Sequence, residues 1–213
     1  MLLAAASPFF LAAFTSSMRE DMSRIVELDP TLSIPCVEAL LRHAHMAGTG
    51  NTANWASLLE QRCEGSTMED LVCAADLLGF AEVLPTCSAR LITSLNVSNC
   101  ISRLLLAERY RLRELAAGCT GIICAGLGED AALSANVALR DGLVALPRDA
   151  MALFLSQDPL PLPEEQLYEL LDAWRQYQPP SRSPTDRTAQ FDDLLELIRL
   201  PSLGMSYLSE HVM

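Results

Sequence analysis

The sequence predicts a mostly α-helical chain in two parts, and three observations lead there. Four segments repeat apolar residues at i, i+3, i+4 and i+7, only one short stretch alternates like a strand, and the interruptions are rich in Gly, Pro and small polar residues. Half of the 213 residues are apolar and 20% are charged, enough to bury a sizeable core and too apolar for extended disorder.

Taken in order, the opening run MLLAAASPFFLAAF is apolar but divided by Ser7 and Pro8. It has no basic residue ahead of its apolar core and is too short to cross a bilayer, so neither an export signal nor an anchor is expected. No other segment holds the roughly 20 uninterrupted apolar residues of a membrane helix. Arg24–Leu28 (RIVEL) alternates and predicts one short strand, stopped by Asp29 and Pro30. The first clear helical stripe is Val37, Leu40, Leu41 and Ala44, and it runs into GTGNTAN at Gly48–Asn54. The second is Leu71, Ala74, Ala75 and Leu78; Thr67 stands where a hydroxyl can cap the first turn, and Asp70 suits its positive end. The third, Leu167, Leu170, Leu171 and Trp174, opens with Pro163, whose missing N–H costs nothing at a first helical position. A polar, Pro-rich loop at Gln178–Arg187 precedes the fourth, Phe191, Leu194, Leu195 and Ile198. No fixed-period repeat is present, which excludes a solenoid or propeller within these residues.

Charge and thiols narrow the function classes. The net charge of −12 divides into six net negative charges on each side of Val97, so neither half suits a phosphate backbone and nucleic acid is not an expected partner. Seven cysteines, odd in number and set within apolar stretches, fit buried reduced thiols and a cytoplasmic location. His43 and His45, with Cys36 and Cys63 to either side, lack any zinc spacing; two residues apart on a helix, the imidazoles point to different faces and read as surface residues. None of the three histidines stands in a catalytic context, and no G-x-S-x-G elbow occurs. Gly118, Gly121, Gly126 and Gly128 lack the lysine of a phosphate loop and read as close helix packing or helix ends. Neither an enzymatic reaction nor a cofactor is expected.

Arginine needs a separate reading. All 15 basic residues are arginine and no lysine occurs. Arg103, Arg109, Arg111 and Arg113 form the only basic cluster; a solvated helix face paired with Glu108 and Glu114 explains it most simply, recognition of an acidic partner being the alternative. In the later loop, Ser183-Pro184 is either a plain turn or a phosphorylation site that would place charge beside Arg182 and Arg187.

Leu3–Glu20 (LAAASPFFLAAFTSSMRE) resembles the middle of a BTB domain, in which an apolar helix with a serine and an aromatic pair leads toward a strand. Val37–His45 and Leu71–Cys87 (LVCAADLLGFAEVLPTC) follow in BTB order and spacing, the latter similar to the family's alanine-aspartate helix and the cysteine-bearing helix after it. Farther on, Asn96–Cys100 (NVSNC), the helix with Ala107 and Tyr110, the 167–174 helix and Leu194–Leu208 (LLELIRLPSLGMSYL) resemble the BACK domain of kelch-like proteins. The resemblance covers nearly the whole chain. It implies a partial BTB (POZ) α/β remnant over residues 1–96, followed by an all-helical BACK domain over 97–213.

Resemblance to kelch-like proteins further implies a non-enzymatic substrate adaptor of a cullin-3 RING ubiquitin ligase. In that family a hydrophobic residue, any residue, then glutamate after the first long BTB helix contributes to the cullin contact, and Met18-Arg19-Glu20 holds the matching place. Met18 would be a flexible apolar plug and Glu20 a charge for a hydrogen-bonding rim. The helix from Asn99 to Tyr110 would add a second cullin-facing surface. Lysine absence would then leave the adaptor without side-chain acceptors for ubiquitin; compositional drift toward arginine and alanine is the competing explanation. The opening strand and helix that family members exchange have no counterpart here, which argues against the family's homodimer. The tyrosine-threonine-glycine turn is replaced around His45–Ala47, an insertion follows at Gly48–Ser66, and no propeller lies before Met213. A second reading is therefore a regulatory decoy that keeps BACK-mediated contacts but assembles no ligase.

Overall fold

The computed structural model describes residues 2–15, 25–48, 68–127, 137–158, 160, 162–177 and 187–198. By internal packing the chain divides into two compact units, Met1–Thr93 and Ser94–Met213. Every described regular element is helical.

In the first unit the opening apolar run breaks at Ser7 into α1 (Leu2–Ala6) and α2 (Pro8–Thr15). Ser7 caps α2: its Oγ accepts the Phe10 N–H at 3.2 Å while Pro8 takes the first helical position, where no donor is needed. The same Oγ donates to the Leu78 carbonyl, so one buried hydroxyl joins the start of α2 to the end of a helix some seventy residues later. That helix, α4 (Met68–Leu77), follows α3 (Ile34–Gly48). It closes with Phe80 N–H on the Ala75 carbonyl (2.7 Å) and Gly79 N–H on the Asp76 carbonyl (3.1 Å). This pair of bonds needs a left-handed residue, and Gly79 supplies it at φ +71°. A Cβ at that glycine would also stand 3.1 Å from Pro8 Cδ, so its bareness lets the two corners meet. A 3-10 turn (Ala81–Val83) then leads into α5 (Leu84–Thr93).

All four residues of the second stripe, Leu71, Ala74, Ala75 and Leu78, are buried. The first stripe is rotated from its expected position. Leu40 and Ala44 are buried, but their companions are Cys36, Ala39 and His43, with Val37 and Leu41 only half-covered. Small side chains at 36 and 39 let α3 lie close to its neighbours, so shape outweighs the size of the apolar groups. The strand expected over Arg24–Leu28 is not formed in its described part: residues 25–28 have no regular structure, and Ile25 is 66% exposed. A short strand needs a neighbour to complete its ladder, and no strand is present among the described residues. The Asp29-Pro30 stop does take shape as a turn, with Leu32 N–H on the Asp29 carbonyl (3.0 Å) and Thr31 N–H on Asp29 Oδ1 (2.8 Å). Thr67, Gly48–Asn54 beyond Gly48 itself, and the 178–186 loop lie outside the described residues.

The second unit is built on α6 (Cys100–Arg109) and α7 (Arg113–Leu127), which fold back on each other through Tyr110–Leu112. Asn96 prepares the entry by accepting the Ser98 and Asn99 N–H groups on its side-chain oxygen, while its carbonyl accepts from Cys100. On this pair pack α8 (Val137–Val144) and α9 (Arg148–Leu155); α10 (Glu164–Gln176) then packs on α8, and α11 (Arg187–Leu195) on α9 and α10. Bare backbone permits two close crossings: a Cβ at Gly126 would meet Leu139 at 3.0 Å, and one at Gly142 would meet Ile101 at 3.2 Å. Gly128 lies outside the described residues and Gly121 has open space around it, so close packing accounts for Gly126 and not for Gly121.

The α10 stripe is fully buried, and Trp174 Nε1 donates to the Leu146 carbonyl at 2.8 Å, which satisfies the indole inside the core. Pro163 stands one residue earlier than the sequence suggests. It is the cap (ψ 142°), and its carbonyl accepts from Gln166 and Leu167, a position where its missing N–H is equally harmless. Phe191, Leu194 and Ile198 are buried from the fourth stripe, with the Phe191 ring edge-on to Tyr168 and under the Arg175 guanidinium.

Ser7→Ala removes both the α2 cap and the donor to Leu78. Urea unfolding followed by circular dichroism should show the full chain destabilised by about 1–2 kcal/mol.

Candidate protein-interaction surface

Met18 and Glu20 lie in 16–24, outside the described residues. The helix that leads toward them, α2, ends with Thr15 Oγ1 donating to the Leu11 carbonyl at 2.7 Å. The second expected surface, Asn99–Tyr110, is α6 with its cap and closing turn. Cys100, Leu104 and Ala107 face the core, and Leu105 and Arg109 are exposed.

Three thiols of the second unit are held in an unreactive form. Burial raises Cys100, pushes Cys124 up to about 11 and pushes Cys119 up to about 12, the last helped by the neighbouring Cys100 thiol. At neutral pH they are neutral and poor nucleophiles or ligands. Cys63 lies outside the described residues; none of the other six cysteines is in a disulfide. No group of three His, Cys, Asp or Glu side chains that could hold a metal ion occurs among the described residues. Likewise, no helix there is long and apolar enough to cross a membrane.

One histidine departs from expectation. His45 is exposed, but His43 is 8% exposed and belongs to the buried face of α3, so it is not a surface residue. The rotation of α3 noted above carries it inward. Burial lowers its pKa from the usual 6.5, against an opposing pull from Glu82 in the 3-10 turn.

The arginine cluster departs too. The expected pairing with Glu108 and Glu114 does not form: Arg103 donates to Ser94 Oγ at 3.0 Å, and Arg109 lies over the Tyr110 ring at 5.5 Å. Arg111 and Arg113 have no ion pair among the described residues. The helix break at Tyr110–Leu112 is responsible, because it puts Glu108 and Glu114 on different helices and cancels the spacing that would align charges on one face.

These two arginines border a groove of about 450 Å³ within the second unit, assembled from the end of α6, the start of α7, one side of α9 and Leu197. Leu112, Ala116, Leu153 and Leu197 give it an apolar floor, and Glu108, Arg111, Arg113 and Asp149 stand at its edge. Sequence reasoning missed this groove, since its walls come from segments some forty residues apart. The available signal was an arginine cluster with too few aligned acids.

The second unit is thus a helical scaffold that presents an apolar groove with a charged edge. The BACK family (BTB And C-terminal Kelch) matches residues 100–213, and the chain belongs to this family of kelch-like proteins. Similarity extends through the first unit as well. Kelch-like protein 21 of Mus musculus is 32% identical over 214 residues, covering 99% of this chain and 31% of its own length. Kelch-like protein 28 of Homo sapiens is 28% identical over 210 residues (98% and 32%), and kelch-like protein 7 of Mus musculus 30% over 217 residues (100% and 32%). The chain thus spans about a third of the length of the curated relatives it matches.

His43 gives the first unit a pH dependence with a definite sign. Its folded pKa lies below the unfolded value near 6.5, so the stability of the neutral form is fully present above that pH and is lost as the pH falls through it toward the lower folded value. Urea midpoints at about pH 7.5 and about pH 5.5 should differ in wild type, and His43→Gln should shrink the difference.

Proposed function

We propose that the chain works as a protein–protein docking module of a kelch-like substrate adaptor for a cullin-3 RING ubiquitin ligase, without a reaction of its own. The BACK match over 100–213 carries this reading, supported by continuous similarity to kelch-like proteins across the chain. Residues 1–96 serve as a partial BTB domain and 97–213 as the BACK domain. Met18 and Glu20 supply the cullin contact, the thioether filling an apolar recess and the carboxylate accepting hydrogen bonds at its rim. The exposed side of α6 adds to that surface. Buried, protonated thiols fit work in a reducing, cytoplasmic setting.

Immobilised full-length chain should retain the cullin-3 N-terminal region. Glu20→Ala and Met18→Ala should each weaken retention by about tenfold while circular dichroism stays unchanged. Failure of the wild type to retain cullin-3 would instead indicate a BACK-bearing decoy.

A further inference from the structure

We propose that the groove between α6, α7 and α9 binds an acidic amphipathic segment of a partner protein, with the partner's apolar side chains on the groove floor and its carboxylates at Arg111 and Arg113. This interaction is separate from the proposed cullin contact and does not rest on it.

Three observations converge. First, the groove is concave and its floor apolar, so it suits the anchoring side chains of a helix turn more than a small polar ligand. Second, two of the charges at its edge are unpaired. Asp149 is engaged by Arg148 at 3.1 Å, and Arg148 also reaches Asp193 at 3.3 Å. Arg111 and Arg113, by contrast, are both exposed and without an ion pair among the described residues. Two neighbouring unpaired guanidinium groups on a chain of net charge −12 select a ligand that brings its own acids, and place them at the α6–α7 corner away from Glu108. Third, Arg111 occupies the corner in a left-handed conformation, φ +56°, where glycine carries no steric penalty. Its side chain makes no interaction among the described residues. An exposed, strained, unpaired arginine lining an apolar groove is explained by a ligand that uses it.

A membrane surface fits less well, because the groove is concave. A nucleic acid brings no aliphatic side chains for the groove floor, and it enters the test as a competitor.

The test uses the full 213-residue chain and three fluorescein-labelled probes: a helical peptide with leucines at i, i+3, i+4 and i+7 and glutamates elsewhere, its twin with lysines for glutamates, and a single-stranded oligonucleotide of equal negative charge. Anisotropy should show the acidic peptide binding at least about tenfold tighter than either other probe, and more weakly as salt is raised. Arg111→Gly separates binding from folding. It should raise the melting temperature by relieving the left-handed strain, yet weaken the acidic peptide several-fold, and Arg113→Ala should weaken it without a change in melting temperature. Equal binding of the two peptides, binding of the oligonucleotide as tight as that of the acidic peptide, or affinity untouched by both substitutions would overturn the proposal.

Discussion

The second unit depends on the way α6 stops. Leu112 N–H reaches back to the Ala107 carbonyl at 2.8 Å and Arg111 N–H to the Glu108 carbonyl at 3.2 Å, a closure that uses the last carbonyls of the helix and reverses the chain within three residues. Because α6 and α7 then lie side by side, Leu104, Leu115, Ala116 and Cys119 share one interior, and α8 and α9 have a surface to pack on. The closure demands a left-handed residue, and arginine there costs about 1 kcal/mol relative to an unstrained backbone. Burial of Leu112, at roughly 1.5–3 kcal/mol for a fully covered leucine, offsets that cost, so the turn holds although its sequence disfavours it.

The first unit solves the same geometric problem with the residue that chemistry favours. Its α4 ends on an identical pair of bonds with Gly79 at the left-handed position, and the missing side chain there also admits Pro8. The two corners differ in what they leave at the surface. Gly79 contributes backbone only and is tied to the Ser7 corner beside it, whereas Arg111 leaves a long cationic side chain beside a groove. Equivalent backbone solutions thus serve cohesion in one unit and presentation in the other.

Much of this was legible from residue order. The stripes at 71–78 and 167–174 lie buried as their spacing requires, the Ser7-Pro8 break splits the opening run, and the BACK family was recognisable in its later motifs. What stayed hidden has identifiable causes. Tyr110-Arg111-Leu112 contains no Gly or Pro, so the helix break, and with it the loss of the Glu108 and Glu114 pairings, had no local signal. The inward turn of His43 follows from close packing of Cys36 and Ala39, which a count of large apolar residues undervalues. The Ile25–Leu28 pattern suggested a strand because alternation records only side-chain polarity, whereas a strand also needs a neighbour. The groove arises from tertiary assembly of distant segments and could not be read from any one of them.

The sealed cysteines have a practical corollary. Cys36, Cys87, Cys100, Cys119 and Cys124 have almost no surface, and those perturbed most strongly carry a proton that only strong alkali would remove. A disulfide reagent in solution reaches them only during moments when helices part, so the pace of their modification becomes a stopwatch for the breathing of each core. Cys36 and Cys87 time the first unit, and Cys100, Cys119 and Cys124 the second, without any label being introduced.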